Sequence, residues 1–242
     1  MKLLQAGRTE VNSSLDWERF ETHSAEEVID LILDELPLRR VCFTCSFQAE
    51  DIVVLDLLRK RLPDVPVLFL ETGYHFAETY EFRDQLTRDW GLNLINVTPR
   101  QSVQEQESAL GILYRENPTK CCQLRKVEPL LEALQPFETW FTGLRREQSV
   151  TRKNLKKAEL HRLPSGKDLT KVSPLADWTW GQVWEYTGGH RLNYLPQYDQ
   201  GYSSIGCQPC TAIPDDPSNP RSGRWGGHKL ECGIHTFSER KQ

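Results

Sequence analysis

The sequence predicts an α/β protein, a twisted parallel sheet with helices on both faces. Three observations predict it: recurring short apolar runs, stretches of helical period between them, and brief connections. The first 24 residues show no clear period and read as a loose arm with a short helix. Ala25 to Leu36 reads as a helix, with Val28, Ile29, Ile32, Leu33 and Leu36 on one stripe and Ser24 as its cap. Arg40 to Cys45 reads as a strand and Ala49 to Leu62 as a helix. The continuous apolar run Val65 to Leu70 predicts a buried strand. Phe76 to Trp90 is helical, with Phe82, Leu86 and Trp90 at four-residue steps. Leu92 to Val97 is a third strand. Helices over Gln104–Leu113 and from about Cys122 to Leu134 lead to a fourth strand at Thr139–Gly143. A last helix runs from Thr179 to Thr187. Residues 211–227 are rich in Pro, Gly, Asp and Ser and read as mobile. The expected organisation is one α/β domain over 1–210 and a mobile C-terminal tail over 211–242.

In open parallel sheets ligands sit outside the carboxyl ends of the strands. The loops that begin at Cys45, Leu70, Val97 and Thr142 are therefore the candidate binding edge. Ser46-Phe47-Gln48-Ala49-Glu50-Asp51 opens a helix after a strand, where free backbone N–H groups face an anion. It lacks the glycines of a Walker A loop. Leu70-Glu71-Thr72-Gly73 ends the next strand in the same way. Thr142 to Arg152 sets Arg145, Arg146 and Arg152 beside a strand end and next to Gly143. Guanidinium forks match phosphate and sulfate; the plain alternative is a solvated charged loop. The stretch from Arg145 to Lys171 holds nine basic residues against three acidic ones.

The whole chain is nevertheless acidic, with 30 Lys and Arg against 34 Asp and Glu in 242 residues and a formal charge of −4. A general nucleic-acid binder is usually basic overall, so no nucleic-acid partner is expected. Mean hydropathy is −0.57, and no run approaches the roughly 20 apolar residues of a membrane span. The first residues, Met1 to Arg8, lack the apolar run of a signal peptide. A cytoplasmic protein is expected. Aromatic residues at 10% and recurring apolar runs argue against disorder.

Seven cysteines, an odd number, argue against a disulfide framework in such a chain. Cys121-Cys122 and Cys207-Gln208-Pro209-Cys210 suit zinc or an iron–sulfur cluster. Neighbouring helical side chains diverge by about 100°, which is awkward for one small ion. A cubane offers a separate iron to each thiolate, so it is favoured over zinc; two unrelated buried pairs are the plain alternative. Lys126 lies one helical turn after Cys122 and brings positive charge near. Cys42 and Cys45 stand three apart on a strand, hence on opposite faces, and read as buried thiols rather than ligands. Cys232 has His228, Lys229 and His235 nearby, positive neighbours of the kind that expose a thiolate nucleophile. Arg221 and Arg224 lie just upstream.

Together these segments resemble the assimilatory sulfonucleotide reductases, in particular their iron–sulfur, adenylyl-sulfate (APS) branch. The resemblance rests on Ser-Phe-Gln-Ala-Glu-Asp at 46–51, Leu-Glu-Thr-Gly at 70–73 and Cys-Cys-Gln-Leu-Arg-Lys-Val-Glu-Pro-Leu at 121–130. It continues through Thr-Gly-Leu-Arg-Arg-Glu-Gln-Ser at 142–149, Ser-Ile-Gly-Cys-Gln-Pro-Cys-Thr at 204–211 and Glu-Cys-Gly-Ile-His at 231–235. Glu71 stands where the family usually has Asp, and Ile234 where it usually has Leu. The resemblance implies an adenine-nucleotide α-hydrolase-like fold related to the PP-loop ATP pyrophosphatases. It implies one [4Fe–4S] cluster per chain on Cys121, Cys122, Cys207 and Cys210. It implies that Cys232 attacks the sulfur of APS, releases AMP and keeps a thiosulfonate, from which thioredoxin or a glutaredoxin frees sulfite. PAPS, the 3′-phosphorylated nucleotide, is the alternative substrate. Residues 46–51 and 70–73, Lys126, Arg145, Arg146, Arg152, Arg221, Arg224 and His235 are the expected substrate contacts. A homo-oligomer is expected. Two competing readings are a PP-loop ATP-using transferase and a metal-bearing redox sensor with the 145–171 stretch on nucleic acid.

Overall fold

Four of the apolar runs become strands in the computed structural model, as β1 (Val41–Thr44), β2 (Val67–Leu70), β3 (Leu94–Val97) and β4 (Thr139–Phe141). The structure describes residues 16–36, 40–216, 219–229 and 231–235. β1 pairs parallel with β2 on one side and β4 on the other, and β2 pairs parallel with β3. β1 and β4 are buried almost throughout, as strands covered on both faces must be.

Period-two alternation divides the core into two layers. Phe43, Phe69 and Phe141 point into the larger cluster, while their neighbours Cys42, Leu68 and Trp140 point into the smaller one. Cys45 belongs to the larger cluster and Cys42 to the smaller, so these two thiols lie on opposite faces of the sheet.

The helices begin where the sequence supplies caps. α1 (Ala25–Glu35) carries a full capping box between Ser24 and Glu27. α2 (Ala49–Arg59) buries Ala49, Ile52, Val53, Val54, Leu55, Leu57 and Leu58, too many for one stripe. It is the central helix, with the last helix, α8 (Trp180–Gly189), packed against it. α3 (Ala77–Trp90) ends at Gly91, whose φ of 61° is left-handed.

Two expected helices differ in detail. The span 104–113 breaks at Gly111 into α4 (Val103–Leu110) and α5 (Leu113–Glu116). The 122–134 helix starts earlier, at α6 (Pro118–Cys122), because Asn117 caps it and Pro118 takes its first turn. It then widens into a π-turn over Gln123–Val127 before α7 (Glu128–Ala133).

The sequence reading missed a hairpin. β5 (Ala158–Arg162) and β6 (Asp168–Val172) pair antiparallel, and β6 pairs parallel with β4. The sheet order is β3-β2-β1-β4-β6-β5, so the expected parallel sheet carries one antiparallel edge strand. The hairpin was hidden by its charge. Lys171 pairs with Glu159 and Arg162 with Asp168, so residues that read as solvated cations are cross-strand partners.

Residues 211–216 and 219–227, read from sequence as mobile, fold back on the domain. Ser203 Oγ donates to Pro220 O at 2.6 Å, Arg224 Nε donates to Cys210 O at 3.2 Å, and Trp225 is buried. No helix among the described residues is long and apolar enough to cross a membrane. Leu58 is fully buried in the larger cluster. Leu58→Ala is expected to lower the unfolding free energy by about 2–5 kcal/mol, read from urea denaturation.

Candidate functional site

The carboxyl ends of β1, β2 and β4 open into one cleft of about 460 Å³. Its floor is the turn from β1 into α2. Asp51 shapes that turn by accepting from the backbone N–H and the hydroxyl of Ser46, both at 2.6 Å. Burial raises the Asp51 pKa to about 7, against the opposing hydrogen bonds from Ser46. Gly143, after β4, abuts this carboxylate: a Cβ there would stand 2.2 Å from Asp51 Oδ1. Gln48 ties the turn across the cleft, accepting from Ile205 N–H at 2.7 Å and donating to Ser46 Oγ at 3.0 Å.

Of the turn residues, Ser46, Gln48, Glu50 and Asp51 line the cleft. Phe47 does not. It is fully buried at a left-handed φ of 61° and packs edge-on against Phe69 and Phe82. Ala49 is likewise buried, its N–H held by the Tyr198 hydroxyl at 3.1 Å.

The loop after β2 serves the cleft only through Leu70 and His75. Glu71 accepts from Tyr80 Oη at 2.6 Å and pairs with Arg83 at 3.3 Å. Thr72 turns to Cys207, with Oγ1 and Sγ 3.3 Å apart. Gly73 packs against Val103 and Arg125. His75 Nε2 donates to Leu70 O at 2.9 Å. Burial, with help from Lys126, pushes its pKa down to about 4.

The arginine loop divides. Arg145 lines the cleft but is a buried ion-pair member, 3.1 Å from Glu50 and 2.8 Å from Glu147, under the Trp180 ring. Arg146 is absent from the cleft wall; it pairs with Glu21 and donates to Leu155 O at 2.8 Å. Arg152 reaches the cleft rim with its guanidinium clamped on Glu231.

The folded-back segment closes the opposite wall with Arg221, Arg224, Cys232 and His235. Arg224 is buried against Gly206, where a Cβ would stand 2.1 Å from its Nη2. It donates to Cys210 O at 3.2 Å and to Ser204 Oγ at 3.3 Å. Burial and the charges of Arg152 and Arg224 lower the Arg221 pKa to about 10. His235 stacks on Trp140, with centroids 5.4 Å apart at 17°. Burial, then Lys171, holds its pKa well below the ordinary histidine value.

A second, narrower cavity adjoins the first. Cys121 and Cys122 from α6 line it with Cys207 and Cys210. A bridge between His75 and Cys207 and the Gln208 N–H to Tyr74 O bond at 2.7 Å fasten the 207–210 segment to the loop after β2. Lys126 and Trp225 line both spaces. Arg125, one residue earlier, turns the other way. It is buried, donating to Thr72 O and Gln106 Oε1 and lying over the Tyr74 ring.

Burial and three neighbouring thiols push Cys121 up to about 12. Desolvation works against the Cys207 thiolate too, but Lys126, Thr72 and Arg224 outweigh it and hold its pKa below the ordinary thiol value. Four thiols crowded beside fixed cations are a donor set for a thiolate-bound metal centre. Among the described residues no group of three or more His, Cys, Asp or Glu side chains is arranged to hold a metal ion.

Sequence reasoning missed His75, Arg125, Gln148, Trp180 and Glu231. Gln148 donates to Glu50 at 2.8 Å and accepts from Arg152, linking the buried pair to the rim. Arg125 carried a signal in its place one turn beyond Cys121 and Cys122. Glu231 stands directly before Cys232, but its partner lies in a loop 79 residues away.

Comparison with known proteins agrees with this geometry. The family model described as phosphoadenosine phosphosulfate reductase domain matches residues 40–213. The chain is 44% identical over 198 residues to adenosine 5'-phosphosulfate reductase of Geobacillus sp. (strain WCH70), covering 81% of this chain and 83% of the relative. It is 38% identical over 237 residues to adenosine 5'-phosphosulfate reductase 2 of Bacillus subtilis (strain 168), covering 93% and 99%. The crystal structure of phosphoadenylyl-sulfate (PAPS) reductase from Candida auris superimposes with a TM-score of 0.70 at 26% identity, covering 82% of this chain and 98% of that one. The Candida glabrata FMN adenylyltransferase shares the fold, with a TM-score of 0.58 at 16% identity over 79% of this chain and 63% of that one.

Removing Arg145 would leave Glu50 buried without its countercharge. Arg145→Ala is expected to cost about 3–5 kcal/mol of stability, measured by denaturant unfolding, and to lower activity through the fold.

Proposed function

The chain belongs to the phosphoadenosine phosphosulfate reductase domain family, and we propose that it reduces adenylyl sulfate to sulfite and AMP in cytoplasmic sulfate assimilation. Relatives named adenosine 5'-phosphosulfate reductase support this substrate. The observation that carries most weight is the joint lining of one cleft by Cys232, Lys126, Arg221, Arg224 and the Ser46 turn.

The sulfate sulfur is surrounded by anionic oxygens that repel a thiolate. Lys126, Arg221 and Arg224 meet that problem before attack. They are fixed cations on the wall that Cys232 shares. Preorganised charge of this kind contributes about 3–4 kcal/mol per well-placed donor. The Cys232 thiolate attacks sulfur, forming the S–S bond. The S–O bond to phosphate breaks, and its electron pair leaves with AMP. The departing phosphate gathers charge in the same cleft, which Lys126, Arg221 and Arg224 line. No general acid is needed, because AMP leaves as a stable anion.

The second half is a thiol exchange. A thioredoxin or glutaredoxin thiolate attacks the Cys232 sulfur, and sulfite leaves with the bond's electrons. The partner's second thiol then resolves the mixed disulfide, so the dithiol supplies both reducing electrons. For that exchange the 231–235 segment must leave the cleft and present Cys232, which is the role of a mobile tail.

Cys121, Cys122, Cys207 and Cys210 would hold one [4Fe–4S] cluster. Bound there, it would fasten the α6 segment to the 207–210 segment and share the Lys126 charge; the electrons come from thiols. Lys126 itself does the work on the substrate side.

Purified holoenzyme is expected to be brown, with iron and acid-labile sulfide near four each per chain. Stoichiometric zinc without sulfide contradicts the cluster assignment. Cys232→Ser is expected to abolish sulfite release while AMP still binds in equilibrium dialysis. Near-normal turnover in that variant removes Cys232 from the chemistry.

A further inference from the structure

Cys232 stands between two anchors of different kinds. On its carboxyl side the hold is apolar: Ile234 packs against the smaller core cluster and His235 stacks on Trp140. On its amino side the hold is ionic. Arg152 Nε donates to Glu231 Oε1 at 2.8 Å and Nη2 to Oε2 at 2.7 Å, a fork-to-fork pair. Thr151 Oγ1 adds a third bond to Oε1 at 2.8 Å, and Arg221 Nη2 stands 3.9 Å from Oε2. Both side chains of the pair are only 11% exposed, so water screens it weakly. Burial works against the Glu231 carboxylate, yet Arg152 and Arg221 hold its pKa below the ordinary value.

The third Arg152 nitrogen is also engaged. Nη1 donates to Gln148 Oε1, and Gln148 in turn donates to Glu50. Each nitrogen of this guanidinium therefore already has a protein partner, two of them on the residue beside the nucleophile. Arg152 reaches the cleft that Lys126, Arg221, Arg224 and Cys232 also line, whereas Glu231 itself is off the cleft wall.

We propose that Glu231 is a positioning residue: through Arg152 and Thr151 it docks the tail so that Cys232 is held over the cleft, and Arg152 acts on the tail rather than on the sulfate. This rests on the reading that Cys232 is the nucleophile. It changes the part given to Arg152. A cation that bound substrate would set nucleotide affinity, whereas a docking partner sets how often Cys232 is in place. Displacing an attacking atom by about 1 Å costs on the order of a hundredfold in rate. The apolar anchor keeps the tail near, and the ionic anchor sets its register.

The test uses the full-length holoenzyme and two readouts. The first is the rate at which iodoacetamide alkylates Cys232, followed by peptide mapping without substrate. Glu231→Gln removes the charge with little change of shape, so alkylation is expected to rise about tenfold or more, the scale of one lost charge-assisted bond. The second is steady-state sulfite release. The kcat is expected to fall about tenfold or more, with KM for adenylyl sulfate and AMP affinity within twofold of the parent. A charge exchange, Glu231→Arg with Arg152→Glu, is expected to recover protection that either single change loses. Unchanged alkylation in Glu231→Gln overturns the proposal. So does a lower KM at unchanged kcat, which would make Glu231 a competitor for the anion site. Alkylation reads docking without turnover, so it separates failure of the clasp from failure of the nucleophile assignment, which Cys232→Ser reads.

Discussion

Like charges held close together, partly out of water, are the constraint on which the rest of this molecule depends. A doubly charged substrate requires cations, and Lys126, Arg221 and Arg224 line one cleft. The lowered Arg221 pKa records the cost of burial and of Arg152 and Arg224 nearby. The fold balances that cost locally. Glu231 faces Arg152 and Arg221, and Glu50 faces Arg145. The thiol groups face Lys126. Each countercharge also fixes a segment of chain, so electrostatic balance and geometry are set by the same contacts.

Lys126 joins the two halves of the site. The π-turn over Gln123–Val127 interrupts the regular helix directly after the tandem cysteines. Such turns widen the helix locally and re-aim its side chains. Here Arg125 goes into the buried scaffold around Thr72 and Gln106, and Lys126 stands in the wall shared by the cleft and the thiol cavity. A change in charge among the four thiols is therefore felt in the cleft through Lys126 and Arg224.

Much of the fold was legible because burial on both faces leaves a plain record. The run at β2 is apolar throughout and those at β1 and β4 each carry a single Thr, and the opposite-face placement of Cys42 and Cys45 comes from period two alone. The β5–β6 hairpin was not legible. Its charges are cross-strand pairs, and Glu159 and Lys171 reveal that only when both strands are in place. The same limit applies to the site. Arg145, Arg146 and Arg152 look alike in sequence, yet one is buried on Glu50, one pairs with Glu21 and one clasps Glu231. Their partners come from distant segments, so side-chain charge was readable and side-chain use was not. The motif residues Phe47, Ala49, Glu71, Thr72 and Gly73 are similar cases: they build the turns that present Ser46, Gln48, Asp51, Leu70 and Cys207.

The central claim is that Cys232 itself takes the oxidised sulfur. It is tested most directly by incubating the holoenzyme with adenylyl sulfate in the absence of any thiol reductant, then mapping peptides by mass spectrometry while counting released AMP. The account predicts one AMP per active chain and one added SO₃ group on the peptide carrying Cys232, removed on adding thioredoxin. Release of AMP with no modified peptide, or the SO₃ group on another cysteine, would contradict it.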